Sequence, residues 1–283
     1  AFLFYKKILY NKILVSFFII FIVLTLLGGK TIAQTFIWKD SFALWTHQIT
    51  LYPKSIHPGY FNRATLYRDL LEYKKAITDY TTSIELNPAD TKSITNRGFM
   101  RSKLKDFQGA MADYNLSLKL DPNEYMALIN RGTLFEELGE RKKALTDLNK
   151  SIEINKETPS AFFNRGMILL KLGKFKESLS DFSKTLNLDP EQKKALSLRA
   201  VNYALLSDYD NAIKDYDKLI GLEPKNFNTF YNRGLTLANN NDHRKAIADF
   251  KVALELNPNM SAAKEKLKLS LSAIDGLDER ENK

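Results

Sequence analysis

Apolar and polar positions follow helical spacing along residues 57–260, and the pattern repeats every 34 residues. Each unit contains two stretches in which apolar residues recur three and four positions apart, which predicts two amphipathic helices. A Pro ends the second stretch of five units, because Pro cannot continue a helix: Pro88, Pro122, Pro190, Pro224 and Pro258. In the third unit Lys156 stands in that place, which predicts a softer helix end. The pattern therefore predicts six helix pairs, at 57–90, 91–124, 125–158, 159–192, 193–226 and 227–260.

Small and large residues also recur with this period. The first helix of each unit carries a small residue at Ala64, Gly98, Gly132, Gly166, Ala200 and Gly234, and the second helix at Ala76, Ala110, Ala144, Ser178, Ala212 and Ala246. A large residue follows at Tyr80, Tyr114, Leu148, Phe182, Tyr216 and Phe250. Small residues allow two helices to approach closely, and the large side chain fills the space beside them. One pair cannot bury its own apolar face, so we expect the pairs to stack.

This constellation resembles the tetratricopeptide repeat (TPR) family over residues 57–260. The resemblance implies an all-α fold in which helix pairs stack into a right-handed superhelix, a solenoid whose first helices line a concave groove. It also implies that the groove binds a protein or an extended peptide.

Short helices are predicted on both sides of the repeats. Residues 35–56 form a junction, in which Asp40 or Ser41 caps a helix through Leu51 that packs on the first repeat as a half-repeat through Phe42, Trp45 and Ile49. Residues 261–274 form a capping helix that begins at Ser261 and covers the sixth repeat with Ala263, Leu267, Leu271 and Ile274. Residues 275–283 are predicted to be a flexible polar tail.

The N-terminal residues 1–34 are predicted to be a membrane segment. Residues 13–27 are apolar apart from Ser16 and Thr25, and with the following glycines they predict a transmembrane helix at about 13–29. A secretory signal cleaved before Gln34 is the alternative. Lys30 before that cleavage position and the absence of an initiating Met favour a permanent anchor in a piece of a longer protein.

The lysines around this segment predict its orientation. Lys6, Lys7 and Lys12 precede the span, so the positive-inside rule places the N-terminal side in the cytoplasm. The repeats are then extracytoplasmic, in a periplasm or a lumen.

The junction resembles that of a particular membrane family. The segment from Trp38 through Ser41, Leu44, Trp45 and Pro53 into Asn62-Arg63 is similar to the corresponding segment of transmembrane-and-TPR O-mannosyltransferases. This resemblance implies that a glycosyltransferase active site would precede Ala1 and that the present residues would be its substrate-recognition arm.

Composition argues against catalysis, cofactors and nucleic acid. The chain has no Cys, and its three His residues are scattered, so no metal site or catalytic constellation is predicted. The net charge is +9, of which residues 1–56 supply six Lys against one Asp. Elsewhere Lys and Glu alternate, as on solvated helix surfaces. We therefore expect neither an enzyme nor a nucleic-acid-binding protein, and no small-molecule cofactor.

The candidate binding residues form a recurrent series. Asn stands at the sixth position of five first helices, at Asn62, Asn96, Asn130, Asn164 and Asn232, and Leu198 interrupts the series. O-GlcNAc transferase, which the repeats resemble here, has an Asn ladder that holds a peptide by its main chain. A side-chain amide both donates and accepts, which suits that task. The alternative is that each Asn bonds a neighbouring repeat and only stiffens the stack.

Arg and Asp recur in all six units, sixteen residues apart. They are predicted to form a partly buried ion pair between the two helices of a unit rather than ligand sites. The carboxylate clamp of chaperone-binding TPR proteins is absent, and the groove positions include apolar residues at Phe61, Phe99, Phe163, Met167 and Tyr231.

The sequence as a whole predicts a membrane-anchored module that binds or scaffolds other proteins. Two alternatives stay open. One is the recognition arm of a membrane glycosyltransferase, and the other is an assembly module whose groove stays empty.

Overall fold

The fold is all-α in the part of the chain that the computed structural model describes, residues 40–54 and 57–281 with side chains as far as Ile274. This part contains fourteen helices and no strand. The chain divides into two compact units between Leu120 and Asp121. The right-handed superhelical course of the array stays a prediction.

Unit 1 contains five helices: α1 (Ser41–Leu51), α2 (His57–Asp69), α3 (Tyr73–Leu86), α4 (Thr91–Lys103) and α5 (Phe107–Leu120). Asp40 caps α1 by accepting a hydrogen bond from the Phe42 backbone N–H at 2.9 Å. The Phe42 ring packs edge-on against Tyr67 of α2, with ring centroids 5.3 Å apart. Ile49 of the same helix is buried. The helix before the repeats therefore covers the first helix of repeat one.

Unit 2 contains nine helices: α6 (Tyr125–Glu137), α7 (Arg141–Ile154), α8 (Pro159–Lys171), α9 (Phe175–Leu188), α10 (Lys193–Leu205), α11 (Tyr209–Leu222), α12 (Phe227–Asn239), α13 (His243–Leu256) and α14 (Ser261–Glu281). We call the even-numbered helices α2 to α12 first helices and the odd-numbered helices α3 to α13 second helices. Every first helix has 13 residues and every second helix has 14.

The turn between the two helices of each repeat has one conformation throughout. Its central residue has a positive φ, between 60° and 80°, at Leu71, Lys105, Gly139, Gly173, Ser207 and Asn241. The next residue donates its N–H back to a carbonyl five residues earlier, for example Glu140 to Phe135 at 2.7 Å. This bond satisfies a carbonyl that the helix end would leave free. The turn closes in the same way whether its residue is glycine or not, which keeps all six helix pairs alike.

Close helix approach occurs where the small residues lie. A Cβ atom on Gly234 would come within 2.7 Å of the Phe250 ring, and one on Gly98 within 2.8 Å of the Tyr114 ring. Phe250 and Tyr114 are buried. The recurrent small residues are therefore needed to seat the large side chain of the second helix, as predicted.

In repeat three, where Lys156 takes the place of the Pro, α7 ends at Ile154 with the same length as the other second helices, and the Asn155 N–H bonds the Ser151 carbonyl at 2.9 Å. The softer helix end expected at Lys156 stays a prediction. The Asn155 side chain accepts a hydrogen bond from the Glu157 N–H at 2.9 Å and so shapes the turn without a proline.

The last helix runs to Glu281 rather than ending at residue 274, so most of the predicted tail is helical. Ala263 is buried and Leu267 packs on the core of repeat six, but Leu271 is 44% exposed. Buried Ser270 takes the inward position instead, because Leu271 is turned about 100° further around the helix.

None of the described helices is long and apolar enough to cross a membrane. The predicted membrane segment 1–34, with its span at about 13–29, lies outside the described residues, and so do residues 35–39 of the junction.

Candidate functional site

The five candidate Asn residues all lie on first helices and are half-buried. In unit 2, the Asn164 side-chain N–H donates to the Thr133 hydroxyl of the preceding repeat at 2.9 Å. In unit 1, the Tyr80 hydroxyl lies 3.1 Å from the Thr65 hydroxyl and also hydrogen-bonds the side chain of Asn96 in the following repeat. Asn96 and Asn164 thus join neighbouring repeats.

The other three candidates differ from these two. The side-chain amides of Asn62, Asn130 and Asn232 form no hydrogen bond within the described residues. The contacts of Asn96 and Asn164 fit the structural alternative, whereas these three amides have donors and acceptors to offer a ligand. An amide also has more hydrogen-bonding capacity than one neighbour uses, so one Asn can serve both purposes.

The apolar residues predicted for the groove are partly core. Phe61, Phe163 and Tyr231 contact the large ring of their own repeat, with centroids 5.8–6.0 Å apart. All three remain half-buried, as do Phe99 and Met167. These side chains therefore stabilise the repeat and also leave some apolar surface accessible on the helices that carry the Asn residues.

Repeat five differs from the others at two positions of α10. Leu198 replaces the Asn, and Asn202, one turn later, is fully buried. The Asn202 side-chain N–H donates to the Phe175 carbonyl at the start of α9 at 3.0 Å, whereas its side-chain oxygen has no hydrogen-bond partner among the described residues. The equivalent residue is apolar in repeats one to four, at Leu66, Met100, Leu134 and Ile168. The sequence analysis missed this residue, although a polar residue at a position that is apolar in repeats one to four was a visible signal.

All six Arg–Asp pairs form. Each guanidinium donates two hydrogen bonds to one carboxylate, over 2.6–3.1 Å, at Arg63–Asp79, Arg97–Asp113, Arg131–Asp147, Arg165–Asp181, Arg199–Asp215 and Arg233–Asp249. The aspartates are buried, between 2% and 6% exposed. The hydrogen bond to Asp249 is the main cause that raises the pKa of Arg233. The predicted ion pair within each repeat is confirmed.

The same arginines also reach the preceding repeat, which the sequence analysis missed. The remaining guanidinium nitrogen donates to a short polar side chain of the previous second helix in four pairs: Arg97 to Thr81, Arg165 to Asn149, Arg199 to Ser183 and Arg233 to Asp217. The signal was available, since the position two residues after the paired Asp is polar in every repeat. In repeats one to five, each of which is followed by a repeat with its own Arg, the residue at this position has a side-chain hydrogen-bond acceptor. In repeat six, which no further Arg follows, the residue is Lys251.

Two pockets occupy equivalent places in unit 2. One, of about 600 Å³, lies beside Arg233, Asp217 and Lys245. The other, of about 440 Å³, lies beside Arg165, Asn149 and Glu177. Each lies beside an Arg whose guanidinium nitrogens already bond neighbouring side chains, so we assign these pockets to packing between repeats. Among residues 40–54 and 57–281 no group of three His, Asp or Glu is placed to hold a metal ion.

A buried tyrosine makes the fold sensitive to alkali. Burial raises the pKa of Tyr216 to about 12, and a hydrogen bond with Thr236 partly opposes that shift. An unfolded tyrosine ionises near pH 10, so between about pH 10 and pH 12 the unfolded state loses its proton first and the free energy of unfolding falls by about 2–3 kcal/mol. Tyr216→Phe should remove this part of the loss, since Phe182 and Phe250 fill the same position in other repeats. Urea midpoints at pH 9 and about pH 11.5 measure it for both proteins, and an equal loss in both would contradict the assignment.

These features define the class of protein as an array of repeated helix pairs. The tetratricopeptide repeat models match residues 57–90, 91–124, 127–158, 159–192, 193–226 and 227–260. The chain therefore belongs to the tetratricopeptide repeat family.

Solved structures share this fold. YrrB, described as a TPR protein with an unusual peptide-binding site, superposes with a TM-score of 0.61 and 23% identity over 67% of this chain and 97% of that one. PilF of Pseudomonas aeruginosa gives 0.66 and 18%, over 74% and 95%. A chain of the Cut9–Hcn1 hetero-tetramer of the APC/C gives 0.66 and 16%, over 82% and 45%. At these identities the likeness shows the fold alone. No curated protein matches the sequence.

Proposed function

We propose that this protein binds an extended segment of another polypeptide along the face of its first helices that carries the Asn residues. The observation that carries the proposal is the set of half-buried amides at Asn130 and Asn232, which have no hydrogen-bond partner among the residues that the structure describes and stand on either side of Asn164 in unit 2. Asn62 repeats the arrangement in unit 1.

The chemistry of these amides suits a peptide main chain. Each amide can donate to a carbonyl and accept from an N–H of an extended peptide, which leaves the peptide side chains free to vary. A half-buried position strengthens such bonds relative to bulk water. The half-buried aromatic side chains and Met167 on the same helices add apolar contact. YrrB, which has a peptide-binding site and the same fold, supports this use of the scaffold.

A peptide selection tests this function. The full chain, purified in mild detergent, would be offered phage-displayed random peptides of about twelve residues, which reach about 40 Å when extended. We expect enrichment of peptides that compete with one another for a single class of site. Failure to enrich any peptide, or enrichment of peptides that bind equally well to the protein with its Asn residues replaced, would contradict the proposal.

We propose further that the module is membrane-anchored and extracytoplasmic, a proposal that rests on the apolar run and flanking lysines of residues 6–30. Protease added to intact cells should then degrade the repeats, and carbonate should leave the chain in the membrane. A soluble product that begins near Gln34 would support the signal-peptide alternative instead. The glycosyltransferase alternative rests on the junction sequence alone, since the family matches are to the repeat.

A further inference from the structure

An aliphatic face interrupts the Asn series in repeat five. Leu198, Val201 and Leu205 of α10 are three and four residues apart, so they lie on one side of the helix. Leu198 and Val201 are half-buried, and Leu205 is 54% exposed. The equivalent residues are Asn164, Met167 and Lys171 in repeat four, and Asn232, Leu235 and Asn239 in repeat six. Only repeat five of these three therefore presents an aliphatic residue at all of these positions.

The neighbours of α10 place this face between two amides. Helix α10 contacts both α8 and α12, the first helices that carry Asn164 and Asn232. Phe163 of α8 packs against the cluster that contains Ala195 and Leu196 at the start of α10. All of these residues belong to unit 2. An extended peptide held at Asn164 and at Asn232 must therefore pass over the aliphatic face of α10.

We infer that this face selects a large apolar side chain, so that the preferred ligand is an extended peptide with one aliphatic or aromatic residue between two main-chain contacts. This inference rests on the proposed function. Leu198 cannot exchange hydrogen bonds with a peptide unit, so affinity at this place comes from apolar area removed from water. An Asn at the same place would bind any peptide unit without regard to its side chain.

The spacing of the helices sets the register of the ligand. Packed helices lie about 8–10 Å apart, and an extended chain advances about 3.3 Å per residue. Neighbouring first helices are therefore about three peptide residues apart. The selected side chain should stand about three residues from the main-chain contact on each side.

The test is a double-mutant cycle between one peptide and Leu198. A peptide enriched on the full chain would be labelled, and its affinity measured by fluorescence anisotropy with its apolar residue intact and replaced by Ala. On the wild-type protein the Ala peptide should bind at least about tenfold more weakly. With the Leu198→Asn variant, replacing the apolar residue of the peptide by Ala should change the affinity less than about threefold, because the peptide side chain no longer has Leu198 to contact.

A substitute variant and a control variant accompany Leu198→Asn. Leu198→Asn should fold, since Asn occupies this position in five other repeats. Val201→Ser probes the same face if Leu198→Asn does not fold. Leu172→Asn changes a 43% exposed leucine in the turn after α8 and should keep the wild-type cycle.

The outcomes separate this inference from the proposed function. If no peptide is enriched, the proposed function fails and this inference fails with it. If peptides bind through the Asn residues but need no apolar residue, or if Leu198→Asn and Val201→Ser leave the cycle unchanged, only the selectivity of repeat five is wrong.

Discussion

Replacing Asn130, Asn164 and Asn232 together with Ala is expected to weaken the binding of a selected peptide by about two to four orders of magnitude. Each amide can exchange two hydrogen bonds with the peptide main chain, worth together about 1–2 kcal/mol. Since about 1.4 kcal/mol is a factor of ten, three amides account for the range. Titration of the labelled peptide into wild type and variant measures the effect. Peptides of different sequence should lose affinity alike, because the main chain is what these residues contact.

Thr133→Val is the matched control for a merely structural role. It removes the hydrogen bond that Asn164 donates to the preceding repeat but leaves the Asn164 amide in place. We expect this variant to bind the peptide within about threefold of wild type. The triple variant should melt only about 2–4 °C earlier than wild type, since it loses one hydrogen bond between repeats. Normal binding by the triple variant with a much lower melting temperature would show that the ladder only stiffens the stack.

Arg165→Ala is expected to lower the free energy of unfolding by about 2–4 kcal/mol. The substitution leaves Asp181, which is 3% exposed, without the two hydrogen bonds of 2.7–2.8 Å that neutralise it. It also removes the bond from Arg165 to Asn149 of the previous repeat. Urea unfolding measures the loss, and hydrogen exchange should show it first in α8 and α9, because a repeat array can open locally.

Two further variants assign the loss to the ion pair. Asn149→Ala removes only the bond to the preceding repeat and should cost less than about 1 kcal/mol. Replacing Arg165 by Met and Asp181 by Leu together should recover at least half of the loss, because no buried charge is then left alone. A cost below about 0.5 kcal/mol for Arg165→Ala would mean that the pair is solvated and that packing alone sets the helix register.

The ion pairs and the Asn residues differ in how far the sequence predicts their role. Arg165 and Asp181 lie sixteen residues apart in one repeat, so the pattern of a single helix pair already brings them together. Asn164 depends on Thr133 of another repeat, and whether its amide is satisfied there depends on how two repeats stack. The hydrogen bond from Arg165 to Asn149 likewise depends on how two repeats stack.

The ends of the array show the same limit. The sequence placed Ala263 and Leu267 against repeat six, because helical periodicity identifies one face of a helix. Leu271 was assigned to that face as well, yet the structure turns it outward and buries Ser270. Helical periodicity alone does not distinguish which of two adjacent residues, such as Ser270 and Leu271, points towards the core. Packing against the neighbouring helix decides which of them is buried.

By itself the sequence determined the helix pair, its length of 34 residues, the close approach of its helices and its internal ion pair, because the residues concerned are neighbours within one repeat. Only the tertiary structure decided which amides are already occupied, which leucines are exposed and where Asn202 is buried. These properties depend on contacts between residues of different repeats. Such contacts follow from the stacking of whole helices, which no single repeat contains.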